Sequence, residues 1–259
     1  MDAQKNIIGI IPCRMASTRF PGKPLERILG IPMIGHVFYR AKMSKIFERL
    51  VIATCDEEIK RYADSIGAEA IMTSAHHERA SDRAAEAMLR VETSQGRKST
   101  IAVMIQGDEP MITPAMIESA VKPLLENADV LVSNLMSGLK SVDEENDPNE
   151  VKVVVDSRFD ALYFSREPIP SRKKSNGNFH AWKQICIIPF RRDFLLTFNS
   201  LQQTPLEKIE SVDMLRVLEH GYKVRMVPTQ LETYSVDTPE DLKFVESKLI
   251  NDSLIKQYA

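Results

Sequence analysis

Several features are scarce in this chain of 259 residues, and each scarcity excludes a class of protein. The three cysteines, Cys13, Cys55 and Cys186, are odd in number and widely spaced, which fits neither a disulfide framework nor a CxxC metal site. Charge is nearly balanced, because 34 Lys and Arg face 36 Asp and Glu and the formal net charge is −2. We therefore expect reduced thiols and no nucleic-acid partner.

Long apolar runs are also missing. No run approaches the roughly 18 residues that a membrane-spanning helix needs. The first residues, MDAQKNIIGIIP, lack the basic start and the cleavage site of a signal peptide. With 43% hydrophobic and 27% charged residues, the composition is typical of a soluble globular protein. We expect a cytoplasmic protein that has no membrane partner.

The chain does contain an alternation of short apolar runs and amphipathic segments. Residues 7–12 are a continuous apolar run, the pattern of a strand buried on both faces, and residues 31–45 read as an amphipathic helix. Further strands at 50–54, 69–72 and 101–105 alternate with helices. Strand, helix, strand in this order predicts an α/β fold with a mostly parallel sheet covered by helices.

The second half of the chain differs in texture. Residues 146–190 contain β-branched and aromatic runs separated by polar turns, which predicts a small antiparallel insertion. Helices are expected at 204–220 and at 238–249, the latter capped by Thr238. Since no linker or repeat is visible, we predict a single domain spanning 1–259 with an insertion lobe at about 146–190.

A basic loop directly follows the first predicted strand. It contains Arg14, Ser17, Arg19 and Lys23, and its cations, hydroxyls and backbone N–H groups suit the oxygens of a polyphosphate. Neither a Walker GxxxxGK[ST] motif nor a GxGxxG fingerprint is present, so a solvated basic loop is the alternative. Its position at the end of a strand favours the phosphate interpretation.

Two aspartates, Asp108 and Asp237, each follow a predicted strand or extended run. Carboxylates from two such loops can converge on Mg²⁺, which shares the rest of its coordination shell with water and substrate phosphates. Either residue alone could equally serve a loop turn or a helix N-cap.

Further polar residues lie in the insertion and in the helix that follows it. Each taken alone is also typical of a protein surface. His76 and His77 lack the i,i+4 spacing of a helical zinc pair. The polar residues that we consider for a sugar-like substrate are Arg166, Gln184, Glu210, Asp213 and Arg216.

Seven segments, taken in order, resemble one enzyme family: IIPCRMASTRFPGKPL, VIATCDEEI, IQGDEPM, DPNEVKVVVD, ALYFSREPIP, LEKIE and VDTPEDL. The chain is similar to the 3-deoxy-manno-octulosonate (Kdo) cytidylyltransferases over nearly its whole length. The resemblance implies a Rossmann-like three-layer α/β sandwich with a small antiparallel lobe that binds the sugar and forms a homodimer contact. It also implies transfer of CMP from CTP to the anomeric hydroxyl of a 3-deoxy-2-ulosonic acid, with release of pyrophosphate, for lipopolysaccharide synthesis.

The same resemblance implies roles for individual residues. Arg14, Ser17, Arg19 and Lys23 would bind the CTP phosphates, with Lys23, Arg14 and Asp108 catalytic. Asp108 and Asp237 would hold Mg²⁺. The remaining nucleotide contacts would be Gln106 and, in the segment RASDR near the cytidine, Ser81 and Arg83.

The chain departs from the family pattern at three positions expected near the sugar. Gln184, Ile188 and Met214 stand where the family has His, Tyr and Gln. We therefore hypothesise a preference for a variant such as the 8-amino analogue of Kdo, with Glu210 and Asp213 supplying negative charge, unless these two are ordinary surface charges. The alternatives are another acid, such as a nonulosonic acid or a phosphonate, or a non-catalytic nucleotide-binding relative.

Overall fold

The structure is a computed structural model, which describes residues 6–16, 19–174 and 180–259. Ser17, assigned above to the basic loop, lies outside the described residues. The chain forms two compact units, of which unit 1 comprises 1–118 and 232–259 and unit 2 comprises 119–231. A single domain with a lobe at 146–190 stays a prediction.

Unit 1 contains the predicted alternation of strands and helices, and the helix at Pro114–Glu126 begins in unit 1 and ends in unit 2. The first helix is shorter than the predicted 31–45, because residues 31 and 32 form a short strand that pairs with residues 27 and 28. The elements are β1 (Ile7–Pro12), β2 (Arg27–Ile28), β3 (Ile31–Pro32), α1 (Met33–Met43), β4 (Arg49–Thr54), α2 (Glu57–Ser65), β5 (Glu69–Met72), α3 (Ala80–Gln95), β6 (Ile101–Ile105) and α4 (Pro114–Glu126).

The sheet of unit 1 explains where a ligand can bind. Its strands run in the order β6-β1-β4-β5, and all of these pairs are parallel. β1 is buried along its whole length, as the continuous apolar run predicted. The α/β fold with a mostly parallel sheet is confirmed, and the carboxyl ends of β1 and β6 lie side by side at one edge.

Unit 2 is built around a second sheet. Its strands β8, β9 and β10 pair antiparallel, as expected for the insertion, but the sheet also includes strands on either side of 146–190. The elements are β7 (Ser133–Gly138), α5 (Val142–Asn146), β8 (Lys152–Val155), β9 (Ala161–Ser165), β10 (Trp182–Ile185), β11 (Ile187–Arg191), α6 (Arg192–Ser200), α7 (Pro205–Glu210), α8 (Met214–Glu219) and β12 (Arg225–Thr229).

The helix predicted at 204–220 is wrong as a single element. It is divided into α7 and α8, because Ser211 adopts a left-handed conformation with φ of 52°. A non-glycine residue at positive φ ends the regular helical hydrogen bonding. The chain then returns to unit 1 with α9 (Pro239–Leu249), whose predicted start at Thr238 is confirmed by a capping box with Asp241.

A buried ion pair joins α7 to α8. Arg216 donates from Nε to Glu207 at 2.8 Å and from Nη2 at 2.6 Å, and its guanidinium lies 4.7 Å from the centre of the Phe198 ring. Glu207 is fully buried and Arg216 is 3% exposed. This pair holds the two short helices together where the backbone is broken.

We expect Glu207→Gln to lower the free energy of unfolding by about 3–5 kcal/mol, because it leaves the buried Arg216 cation without a charged partner. Asp193→Asn is the control, since its pair with Arg192 is exposed and its loss is expected to cost less than about 0.5 kcal/mol. Urea denaturation of both variants measures the difference. Equal stabilities would contradict the importance of the buried pair.

Among the described residues, no helix combines the length and the apolar character needed to cross a membrane.

Candidate active site

A cavity of about 340 Å³ opens in unit 1 at the carboxyl ends of β1 and β6 and at the start of α3. Parallel α/β sheets bind ligands at this edge, and the size suits a small-molecule site. The wall is rich in the cationic and polar residues that the sequence singled out. Those that line it are Arg14, Arg19, Lys23, Arg83, Gln106 and Asp108.

Two glycines shape the backbone around this cavity. A Cβ on Gly107 would lie 3.2 Å from Cys13 Cβ and 3.3 Å from the Pro12 carbonyl oxygen, so any larger residue would push the loop after β6 slightly away from the end of β1. Gly22 has φ of 77°, and its N–H donates to the Met15 carbonyl at 3.1 Å. This turn directs Lys23 back toward the Asp108 loop.

Lys23 is the centre of the polar arrangement. Its Nζ donates to Asp108 Oδ2 at 2.8 Å, to the Val236 carbonyl at 2.7 Å and to Asp237 Oδ1 at 3.2 Å. The Val236 N–H in turn donates to the Asp108 carbonyl at 2.9 Å. The structure thus brings together the three residues that the sequence placed in three separate loops.

The electrostatics around Lys23 favour its charged form. Burial alone would lower the pKa of Lys23, but the carboxylates of Asp108 and Asp237 raise it above its ordinary value. Arg19 adds a second cation, because its Nη2 lies 2.9 Å from Asp237 Oδ1 while half of its side chain stays exposed. Both carboxylates are therefore paired with Lys23, and Asp237 is paired with Arg19 as well.

Arg14 lies at the outer part of the cavity. Its side chain is exposed, and Nη1 donates to the His77 carbonyl at 3.4 Å. The loop that carries it is fixed by Asp56, whose Oδ2 accepts from the Met15 N–H at 2.8 Å. Arg14 is therefore held by its backbone and keeps a side chain that is free to reach an anion.

Arg83 lines the cavity and carries a buried donor. Only 3% of the residue is exposed, and Nη1 donates to Thr73 Oγ1. Its Nη2 is buried and makes no hydrogen bond to any part of the chain that the structure describes. Leaving such a donor unpaired costs about 1–3 kcal/mol, so a ligand that supplies an acceptor is favoured. Ser81 is fully buried and does not belong to the cavity wall.

Cys13 also lines the cavity, and burial raises the pKa of its thiol to about 12. The thiol therefore stays protonated at neutral pH and has no role as a nucleophile. All three cysteines are free, which confirms the expectation of reduced thiols.

The residues considered for the sugar lie in unit 2, and Glu210 links several of them. Its Oε1 accepts from Tyr163 Oη at 3.1 Å and from Ser165 Oγ at 2.9 Å, and its Oε2 accepts from the Arg166 N–H at 2.7 Å. Arg166 Nε donates back to the Glu210 carbonyl at 2.7 Å. Glu210 and Arg166 thus form one rigid polar group.

The other positions of this set have different surroundings. Gln184 donates to the side chain of Asn134 at 2.5 Å, and Asp213 is half-buried just before α8. Ile188 and Met214, two of the departures from the family pattern, are 3% and 1% exposed. Their apolar side chains are part of the packed interior of unit 2.

Comparison with known proteins decides the family. Residues 8–227 match the model of the cytidylyltransferase family. The chain is 43% identical over 253 residues to a 3-deoxy-manno-octulosonate cytidylyltransferase of Geobacter metallireducens, with 94% of this chain and 97% of the relative covered. The chain belongs to the 3-deoxy-manno-octulosonate cytidylyltransferase family. The mitochondrial 3-deoxy-manno-octulosonate cytidylyltransferase of Arabidopsis thaliana is 41% identical, covering 94% of this chain and 83% of its own.

Solved structures agree with this family. A CMP:2-keto-3-deoxy-manno-octonic acid synthetase complexed with CTP superimposes with a TM-score of 0.86 at 35% identity, covering 95% of this chain and 99% of that one. A cytidylyltransferase from Leptospira borgpetersenii, at 18% identity and a TM-score of 0.65, shares the fold. This cytidylyltransferase is accordingly a nucleotidyltransferase with an α/β fold.

The donor set of this cytidylyltransferase is compatible with Mg²⁺. Asp108 and Asp237 approach the same ammonium group, so both carboxylates lie within reach of one small ion. Within the described ranges, no group of three or more His, Cys, Asp or Glu side chains could form a complete metal cage. Two carboxylates beside a cationic cavity match the way Mg²⁺ binds together with substrate phosphates and water.

Sequence reasoning missed several residues of the cavity wall, among them His77 and Arg79. His77 hydrogen-bonds through Nε2 to Glu86, which also accepts from the Ser74 N–H and from Arg90. Partial burial would raise the pKa of Glu86, but these hydrogen bonds lower it to about 2. The available local signal for these two residues was the dense charge pattern HHERASDR, which runs into the first turn of α3.

Proposed function

We propose that this chain joins CMP from CTP to the anomeric hydroxyl of Kdo or a close 3-deoxy-octulosonic acid and releases pyrophosphate. The observation that carries the proposal is Lys23, bonded to both Asp108 and Asp237 beside a cavity that Arg14, Arg19 and Arg83 make cationic. The relatives named for this reaction, and a solved relative with CTP bound, support it.

In this proposal the cationic residues of unit 1 bind the nucleotide. Lys23, Arg14 and Arg19 hold the triphosphate and offset the charge that develops on pyrophosphate as it leaves. Gln106 contacts the nucleotide, and Ser17 remains our candidate for a further phosphate ligand. The unpaired Nη2 of Arg83 suits an acceptor of the cytosine ring. Ser81 is fully buried, and its role as a nucleotide contact stays a prediction.

The two aspartates hold Mg²⁺ in this proposal. When bound, Mg²⁺ supplies Lewis-acid polarisation of the reacting oxygens. The anomeric oxygen forms a bond to the α-phosphorus, the bond to the β-phosphate oxygen breaks, and the hydroxyl proton passes to water. No side chain of the protein forms a covalent intermediate, in agreement with the protonated Cys13 and Lys23.

Arg166, Gln184, Glu210 and Asp213 are our candidates for the sugar acid. The guanidinium of Arg166 is held by the carbonyls of Glu210, Pro148 and Ser211, and its remaining N–H groups suit the carboxylate of an ulosonic acid. The relatives' names give no support to a nonulosonic acid, a phosphonate or a silent nucleotide-binding role. A homodimer that acts in the cytoplasm and supplies lipopolysaccharide synthesis stays a prediction.

The direct test is release of pyrophosphate by the purified chain with CTP, Mg²⁺ and Kdo, with UTP in place of CTP as the matched control. Release that requires both CTP and the sugar acid supports the proposal. If no pyrophosphate is released with Kdo or with any of its analogues, the proposal is contradicted.

The same assay tests the sugar preference. We expect kcat/KM to be at least about tenfold higher for the 8-amino analogue than for Kdo, because a pocket that loses hydrogen-bonding groups for a hydroxyl discriminates strongly against it. The apolar Ile188 and Met214 stand where the family is polar, and since both are buried in unit 2 we expect them to act by changing the packing behind the residues that contact the sugar. Equal or better use of Kdo would mean that these substitutions only repack the interior.

A further inference from the structure

Arg40 is a fully buried cation outside the cavity wall. It lies on α1, and each part of its guanidinium has a partner. Nη2 donates to Asp252 Oδ2 at 2.8 Å, Nε donates to Tyr258 Oη at 2.9 Å, and Nη1 donates to the Ile112 carbonyl at 3.3 Å. A buried arginine with three directed contacts fixes the relative positions of the segments that it joins.

Two of these partners come from the segment after α9, and α9 begins next to Asp237. The Asp241 side chain accepts from the Asp237 N–H at 2.9 Å and from the Thr238 N–H at 2.8 Å, which fixes Asp237 to the first turn. The helix has 11 residues and is therefore a rigid rod about 16 Å long. Arg40 therefore contacts the segment that follows the C-terminal end of α9, while Asp237 lies at the N-terminal end of the same helix.

The third partner belongs to the loop that carries Asp108. Ile112 follows Asp108 by one short turn, in which the Ile112 N–H donates to the Glu109 carbonyl at 3.3 Å. The same guanidinium therefore contacts the Asp108 loop and the segment that anchors the Asp237 helix. Any tilt of α9 has to break a contact with Arg40.

The Tyr258 hydroxyl is itself held in one orientation. His36 Nε2 lies 2.8 Å from the Ile28 carbonyl, which can only accept, so Nε2 carries the proton and Nδ1 accepts from Tyr258 Oη at 2.9 Å. Burial lowers the pKa of His36, which agrees with a neutral ring. The Tyr258 ring also stacks on Tyr39, with 5.3 Å between the ring centres.

We infer that Arg40 is a positioning residue that sets the separation of the Asp108 and Asp237 carboxylates, acting through Ile112 on one side and through Asp252 and Tyr258 on the other. The inference rests on the proposed role of these two aspartates in holding a divalent cation. Residues that hydrogen-bond directly to metal ligands change metal affinity by about 10- to 100-fold when they are removed, and since Arg40 acts one step further away we expect the lower end of this range.

The test is the affinity for Mn²⁺, measured by electron paramagnetic resonance with the full chain and CTP and without a sugar acid. Tyr258→Phe and Asp252→Asn each remove one contact of Arg40, and each is expected to raise the Mn²⁺ dissociation constant by about tenfold. Tyr39→Phe is the matched control, because it removes the hydroxyl of the stacked ring and keeps the Arg40 contacts. Its dissociation constant is expected to equal that of the wild type.

The outcomes separate the inference from the function. A wild-type chain that binds no Mn²⁺ in the presence of CTP overturns the proposed metal role and the inference with it. Wild-type binding with unchanged constants in both variants overturns the inference alone. The measurements are made well below the melting temperature of each variant, so that a loss of stability alone does not change the dissociation constant. A variant that is less stable but keeps the wild-type dissociation constant therefore also counts against the inference.

Discussion

Replacing Asp108 or Asp237 with Asn is expected to lower kcat at least about a hundredfold while the fold stays intact. Each substitution keeps the shape of the side chain and removes the negative charge that a hard divalent cation requires. Initial rates of pyrophosphate release at saturating CTP and sugar acid measure the effect, and circular dichroism checks the fold. Glu240→Gln is the control, since this exposed carboxylate lies one turn away in α9 and is expected to keep wild-type rates.

Removal of the metal is the companion experiment. EDTA is expected to abolish turnover, and added Mg²⁺ is expected to restore it. Near-normal turnover of either Asn variant would remove that aspartate from the metal site. Full activity in excess EDTA would remove the metal from the proposed function altogether.

Lys23→Ala is expected to lower kcat/KM by roughly two orders of magnitude, which corresponds to about 3 kcal/mol of lost transition-state stabilisation. The reason is that a buried charge pair loses one partner and a phosphate loses a charged donor. Stability gives a second readout. Without the ammonium, Asp108 loses this cation and Asp237 keeps only Arg19, so the melting temperature in metal-free buffer should fall and Mg²⁺ should raise it more than in the wild type.

Lys60→Ala is the matched control, since it also removes a lysine that is paired with an aspartate, but on the exposed face of α2. Arg14→Ala is expected to weaken turnover less than Lys23→Ala, because its side chain is exposed. Unchanged kinetics in both Lys23→Ala and Arg14→Ala would place the triphosphate elsewhere.

The approach of Lys23 to Asp108 could be predicted because it follows from general rules, whereas Asp237 follows no strand of this sheet and is brought in by the segment before α9. Parallel strands align their carboxyl ends, and the loops that leave those ends meet at one edge of the sheet. The strand β1 and the start of α9 could also be predicted from the sequence, since an apolar run and a Thr-Pro-Glu-Asp capping sequence are local signals.

Other features depend on contacts that local sequence does not encode. The identity of Ser211 does not predict that the helix at 204–220 is interrupted, because a serine at positive φ is held there by packing and by the pair of Glu207 with Arg216. Arg40 reads as one cation on an amphipathic helix, and its partners Asp252 and Tyr258 lie more than 200 positions away in the chain. Only the folded structure brings them together.

The thiol of Cys13 and the amine of Lys23 also determine how the cavity responds to reactive chemicals. Both lie in its wall and both are protonated at neutral pH, one because burial suppresses its thiolate and the other because two carboxylates hold its proton. Peroxides and alkylating agents attack thiolates and free amines. We therefore expect both side chains to resist oxidative stress, and an inhibitor designed for this cavity will have to rely on reversible anionic contacts instead of a covalent warhead.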